Sequence, residues 1–368
     1  MSQRHVVMTA LLSATAWLGC GGASDDPTGE PIPIAPDSPG GTSPSGMQPG
    51  DAMDPVSGAP VMPAEPGIGQ AGSGAAPIDS PAEPIDPAEV ATGISTTPLP
   101  QTDPDIVCHE FRAHAAGGKQ PLVVGIANDA YHEVDFEAPW KQTVYVKSFR
   151  ALIDNKAVIH HWLFYRGGAD DQNRALQAGW APGGSDTYFS DDLGMELPVE
   201  PYSIQYHYNS NDASAVDASG VEVCVTPNKP ANVATVSWLG TDAIFGAAAQ
   251  GVCDPITNER VHILAATPHM HKKGVRFEVI VNRATGGTDV VHDKPFDFAY
   301  QQQYVYDIWL EPGDTITTKC TYNAPANFGP GTDQEMCYWF PIHYPANSLV
   351  DSGPFGKALH GPNSCLGL

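Results

Sequence analysis

From residue 106 onward the chain is a succession of short runs rich in Val, Ile, Tyr, Phe and Trp, broken by Gly, Pro and Asn-Asp clusters. "KQTVYVKSF", "AVIHHWLFY", "YSIQYHY", "VRFEVIVNR" and "DTITTKCTY" are examples. β-Branched and aromatic side chains suit a pleated, half-buried surface. Few windows longer than ten residues keep a helical period. The expectation is an all-β protein of sandwich architecture. The stretch "TPNKPAN", residues 226–232, divides it into two consecutive antiparallel β-sandwich domains, 106–228 and 229–368.

The first 105 residues are of another kind. Arg4 and His5 precede the apolar run "VVMTALLSATAWLG" and Cys20, too short and too early for a spanning helix, so residues 1–19 read as an export signal. The junction "WLGC" resembles a bacterial lipoprotein signal, which implies lipidation of Cys20. With no aspartate after that cysteine, the resemblance implies outer-membrane or surface retention, and contact with the membrane only through the anchor. Residues 21–105 hold 18 of the 35 prolines and 13 acidic residues with almost no aromatics. Such a segment cannot bury enough apolar surface to offset its ordering entropy, so 20–105 is expected to be a disordered tether.

The net charge is −24, and removing residues 1–105 leaves 17 basic and 29 acidic residues, or −12. A nucleic-acid binder would show the opposite sign. Besides Cys20 there are six cysteines, at 108, 224, 253, 320, 337 and 365. An even number in an exported chain argues for three disulfides, with 15 pairings open to counting alone.

Three histidine clusters stand out among thirteen histidines. His160 and His161 are adjacent in an expected strand, where neighbouring side chains should point to opposite faces. His207 lies in "IQYHYN", and His269 and His271 in "ATPHMHKKG" are two apart, the spacing for one face of a strand. Met336 follows in "TDQEMCYWFP", a soft thioether suited to Cu(I) and poorly suited to zinc.

Taken in order, His-His, Gln-x-His-Tyr, His-x-His followed by Gly, and Glu-Met-Cys resemble the copper type II, ascorbate-dependent monooxygenases, the family of peptidylglycine α-hydroxylating monooxygenase and dopamine β-monooxygenase. "AGWAPGG…DDLGMELP" and "WLEPGDTITTKCTYN" extend the likeness across residues 106–368. The resemblance implies jelly-roll-like domains and two copper ions per chain. His160, His161 and His207 would hold the copper that stores and passes an electron. His269, His271 and Met336 would hold the copper that binds oxygen, and they carry the expected catalytic role. It also implies the disulfides Cys108–Cys224, Cys253–Cys365 and Cys320–Cys337, the last anchoring Met336 from the next residue.

The chemistry that the resemblance implies is C–H hydroxylation of a small molecule by O2, with electrons from ascorbate or an equivalent reductant. Where the peptide-processing relative grips a carboxylate with an arginine, an Asn and a Tyr, this chain has Thr267, Tyr338 and Phe340. Losing those charged and hydrogen-bonding partners argues against a peptide carboxylate, and Tyr338, Trp339 and Phe340 point instead to an apolar or aromatic substrate. The remaining histidines read as structural or surface, and His343 in "PIHYP" is the candidate neighbour of the oxygen copper. The competing functions are a surface copper-binding or electron-transfer lipoprotein, and an adhesive module on a tether.

Overall fold

The computed structural model describes residues 92–114, 119–171, 173–255, 259–350 and 364–367. The export signal, Cys20 and the tether up to residue 91 lie outside the described residues. Those described form twenty-two β-strands and no helical element, as the strand-rich sequence leads one to expect. No described helix is long and apolar enough to cross a membrane.

Three sheets position the site. One is a four-stranded antiparallel sheet in the order Ala127–Phe136, Tyr202–Ser210, Ile159–Arg166, Ala175–Trp180. A second four-stranded sheet runs Phe245–Cys253, Thr315–Asn327, Gly274–Asn282, Thr288–Pro295. In Gly274–Asn282 the buried Phe277, Val279 and Val281 alternate with Glu278 and Ile280, the period-2 signature of a sheet with one face on the core.

The third is a twelve-stranded sheet. The stretch 226–232 leads into its central link. Asn232–Val236 pairs in parallel with Leu193–Leu197 and antiparallel with Tyr338–Tyr344. Backbone hydrogen bonding therefore runs from the first half of the chain into the second. Two apolar cores flank the link. One centres on Val146, Phe164, Tyr202, Ile204 and Val223, and also takes in Leu264 and Ile342 from the later half. The other centres on Val261, Phe277, Val279, Ile316 and Trp339.

Lys147, on the strand Val144–Leu152, is almost wholly buried and satisfies its ammonium by donating to the carbonyls of Ser190, Asp191 and Leu193 at 2.8, 3.0 and 2.9 Å. Without those acceptors a buried cation there would be costly.

Order begins earlier than residue 106. Ile94 is fully buried and pairs with Phe189, Leu99 is buried, and Asp103 accepts from Thr226 Oγ1 at 2.6 Å. These two apolar anchors, with the hydrogen bonds of Gln101 to Phe189 O and of Asp103 to Thr226 and Asn228, dock residues 92–105, against the expectation that the tether continues to 105. The disulfides are Cys108–Cys224, Cys253–Cys365 and Cys320–Cys337, the pairs that the resemblance implies.

Candidate metal centre

The adjacent histidines are explained by a slip in register. Across the strands Ile159–Arg166 and Tyr202–Ser210, His207 faces His161, yet the next residue, Tyr208, faces Ile159. His160 is the extra residue of a β-bulge, a device that re-aims a side chain. Both rings therefore converge on His207. Ring centroids are 5.2 Å apart for His160 and His161, 5.1 Å for His160 and His207, and 4.8 Å for His161 and His207.

One nitrogen from each of the three lies within 4.8 Å of the others, and the Nδ1 atoms of His160 and His161 approach to 3.1 Å. His160 Nε2 and His207 Nδ1 have no hydrogen-bond partner among the described residues, and His207 Nε2 meets only the Asp129 carboxylate, outside good hydrogen-bond geometry. Leaving a buried polar atom unsatisfied costs about 1–3 kcal/mol, a cost that a bound metal would remove. Burial, and then the neighbouring imidazoles, pushes His160 down to about 3 and His161 well below the ordinary histidine range. At neutral pH these are uncharged imidazoles with free lone pairs, the form that binds metal. Tyr131 stacks on His207 at 4.3 Å, and Asp129 Oδ1 lies 3.3 Å from His207 Nε2.

The second set is held differently. The strand Val261–His269 ends at His269, so His271 does not share a strand face with it. It sits just beyond, past the fully buried Met270 that plugs the second core. The two rings still come within 5.3 Å. His269 Nδ1 donates to Gln301 Oε1 at 2.8 Å, and His271 Nδ1 to the carbonyls of Gly331 and Gln334 at 3.0 and 3.3 Å. Each bond fixes a tautomer and leaves Nε2 as the lone-pair nitrogen. Burial lowers His269 to about 3 and His271 to about 4. The donor set suits copper: two neutral imidazoles with a thioether close by in the chain fold.

Three side chains to which the sequence assigns no role complete this region. Glu335 is fully buried, and its carboxylate accepts the backbone N–H of His271 at 2.8 Å and of Lys273 at 2.6 Å. It immediately precedes Met336, itself followed by the disulfide-bonded Cys337, so one short stretch ties the thioether and His271 together. Burial raises the Glu335 carboxyl, and the amide bonds partly offset this. Phe298 stacks on His160 at 4.5 Å and lies 6.2 Å from His271. Gln301 orients His269 through its side chain and donates its backbone N–H to Pro182 at 2.8 Å. Glu335 is visible in the Glu-Met-Cys motif, whereas Phe298 and Gln301 carry no spacing signal.

The two sets meet: the rings of His161 and His269 are 6.2 Å apart. Beside them opens a cavity of about 380 Å³ whose wall includes His161, His269, Met336, Trp180, Trp238 and Phe340. Thr267 is also on the wall. Tyr338 is not: it is fully buried, donates its hydroxyl to Asp242, and packs edge-on behind Trp238. His343 is equally remote, buried between Ser237 Oγ at 2.8 Å and Ser348 Oγ at 3.3 Å. His262 is held by Asp307 and Tyr344, and His292 by Tyr306. His360 lies outside the described residues.

A family model described as copper type II ascorbate-dependent monooxygenase, C-terminal domain, matches residues 247–351. The human protein named "Putative DBH-like monooxygenase protein 2" is 25% identical over 256 residues, 57% of this chain and 51% of its own length. DBH-like monooxygenase protein 2 of Mus musculus is 28% identical over 46% of this chain and 32% of its own length. Dopamine beta-hydroxylase of Canis lupus familiaris is 23% identical over 48% and 33%. The chain thus spans about half or less of the length of these relatives. A solved structure from Parabacteroides distasonis ATCC 8503 aligns over 65% of this chain and 88% of its own, at 8% identity and a TM-score of 0.18, too distant to bear on the fold.

Proposed function

We propose that this chain, matched over residues 247–351 by the copper type II, ascorbate-dependent monooxygenase family, hydroxylates a C–H bond of a small apolar or aromatic molecule. The observation that carries this reading is the meeting of two separately built imidazole sets, with His161 and His269 6.2 Å apart beside one cavity. Copper held by His160, His161 and His207, and by His269, His271 and Met336, would supply two electrons from ascorbate or another reductant and activate O2. One oxygen atom enters the C–H bond and the other leaves as water.

The chain's own residues set the conditions for that chemistry. The bulge at His160 aims three imidazoles at one point. Gln301 and the carbonyls of Gly331 and Gln334 hold the protons on Nδ1 of His269 and His271, keeping the lone pairs on Nε2. Trp180, Trp238 and Phe340 offer an apolar wall, suited to seating an apolar substrate and excluding water.

Three disulfides fit an exported protein. Lipidation at Cys20, anchoring at the outer membrane or cell surface, and domains at 106–228 and 229–368 belong to the same proposal. The test is ascorbate-dependent hydroxylation of small aromatic compounds by the copper-loaded chain and by Met336→Ile. Activity that collapses in the variant while the His160 set keeps its copper supports the oxygenase. Copper binding with no hydroxylation in either protein supports the surface copper-binding or electron-transfer lipoprotein instead.

A further inference from the structure

Three residues on the cavity wall carry a buried polar atom with no hydrogen-bond partner among the described residues: Ser185 Oγ, Gln303 Nε2 and Trp162 Nε1. The other amides on the wall are already engaged. Gln177 Nε2 donates to the carbonyls of Ala175 and Leu176, Gln205 Nε2 to Glu133, and Gln301 uses its oxygen on His269 and its nitrogen on Phe298 O. Gln303 is half engaged: its Oε1 accepts from Thr187 Oγ1 at 3.2 Å, which fixes the amide and leaves Nε2 over.

Ser185 and Gln303 come from segments that the fold clasps together. Gln301 N–H donates to Pro182 O at 2.8 Å, and Gly183, at φ +83°, lies so close to Tyr300 that a Cβ there would stand 2.5 Å from its ring. This contact fixes 181–185 against 298–303, and with them Ser185 and Gln303. No Lys, Arg, Asp or Glu lines the cavity among the described residues. Buried donors without acceptors cost free energy that a ligand oxygen would recover, and an uncompensated ligand charge would be disfavoured on such a wall.

We propose that Gln303 Nε2 and Ser185 Oγ form a binding subsite for the oxygen of an uncharged substrate, a ketone, amide or alcohol, whose apolar body lies against Trp180, Trp238 and Phe340. This deepens the proposed function and rests on it for the identity of the cavity as the substrate site. Specificity then comes from hydrogen bonding that a hydrocarbon cannot satisfy and that a charged analogue meets only at the cost of desolvation.

The experiment is calorimetric titration of the full chain, copper-loaded and copper-free, with four probes of similar size: 4-phenyl-2-butanone, butylbenzene, 3-phenylpropanoate and 3-phenylpropylamine. The ketone should bind about tenfold more tightly than butylbenzene, the expectation for one to two net hydrogen bonds, and more tightly than either ion. In Gln303→Leu and in Ser185→Ala the ketone should fall toward butylbenzene, while butylbenzene itself binds as before, which shows that the cavity is intact. Equal binding of ketone and butylbenzene in the unaltered chain, tighter binding of either ion, or an undiminished ketone preference in both variants would overturn the subsite. A ketone preference in a chain that takes up no copper would keep the subsite and discard the oxygenase. Loss of the preference in a chain holding both coppers would do the reverse.

Discussion

His161 and His269 belong to different halves of the chain, yet their rings lie 6.2 Å apart. Side chains this close should not act independently. In a double-mutant cycle on the copper-free chain, His161→Ala and His269→Ala should show an interaction of about 0.5–3 kcal/mol, the range for residues in contact. Strict additivity in urea unfolding would mean that the two sets are not packed together in solution.

Acid should destabilise the copper-free protein. His160 and His269 titrate near 3 and His271 near 4 when folded, chiefly through burial, whereas an unfolded histidine takes up its proton near 6.5. Between about pH 6.5 and pH 4 the unfolded state therefore binds more protons. Stability is full above that window and falls as pH drops through it, by about 1.4 kcal/mol per pH unit for each proton of difference. Melting temperatures of the copper-free chain should decline from pH 7.5 to pH 5, with a shallower decline in His160→Gln. An unchanged slope in that variant would show that His160 is not buried in the neutral form.

Glu335 accepts two backbone N–H groups while fully buried. Glu335→Gln keeps the shape but sets an amide N–H against one of those donors. The expected cost is about 2–4 kcal/mol, from a lost charge-assisted bond and an unsatisfied donor. Copper should be lost at the His269, His271 and Met336 site while the His160 set retains its own. Loss from both sites alike would point to general unfolding rather than local positioning.

Gly183 and Gly246 both have positive φ, but only Gly183 has a neighbour in the way, the ring of Tyr300. Alanine at either position meets left-handed strain, of order 1–3 kcal/mol. Gly183→Ala should cost more than Gly246→Ala in chemical denaturation and should also weaken ligand binding in the cavity. Equal costs would argue against the contact between 181–185 and 298–303.

Much of the fold and site is legible in the sequence where the signal is local. Alternation in "VRFEVIVNR" and the β-branched runs point to strands because period-2 burial is a property of the segment itself. The six metal-ligand candidates emerge through ordered motifs, each too weak to stand alone. Features that depend on another strand are not legible. The bulge that turns His160 toward His161 arises only when Tyr202–Ser210 pairs with Ile159–Arg166. The end of the strand at His269, which carries His271 past it, and the burial of Tyr338 behind Trp238 are likewise set by packing. Phe298 and Gln301 reach His160 and His269 from a loop with no motif of its own. The docking of 92–105 combines two apolar side chains, Ile94 and Leu99, with hydrogen bonds to Phe189 and Thr226 from Gln101 and Asp103, partners that no local pattern in this proline-containing run reveals.

The most direct test of the paired-site reading is the copper and zinc content per chain after copper reconstitution and removal of loosely held metal. Two coppers are expected, falling to about one in a His269→Ala/His271→Ala variant. One copper or none in the unaltered chain, or zinc retained in the protein as isolated, would contradict it.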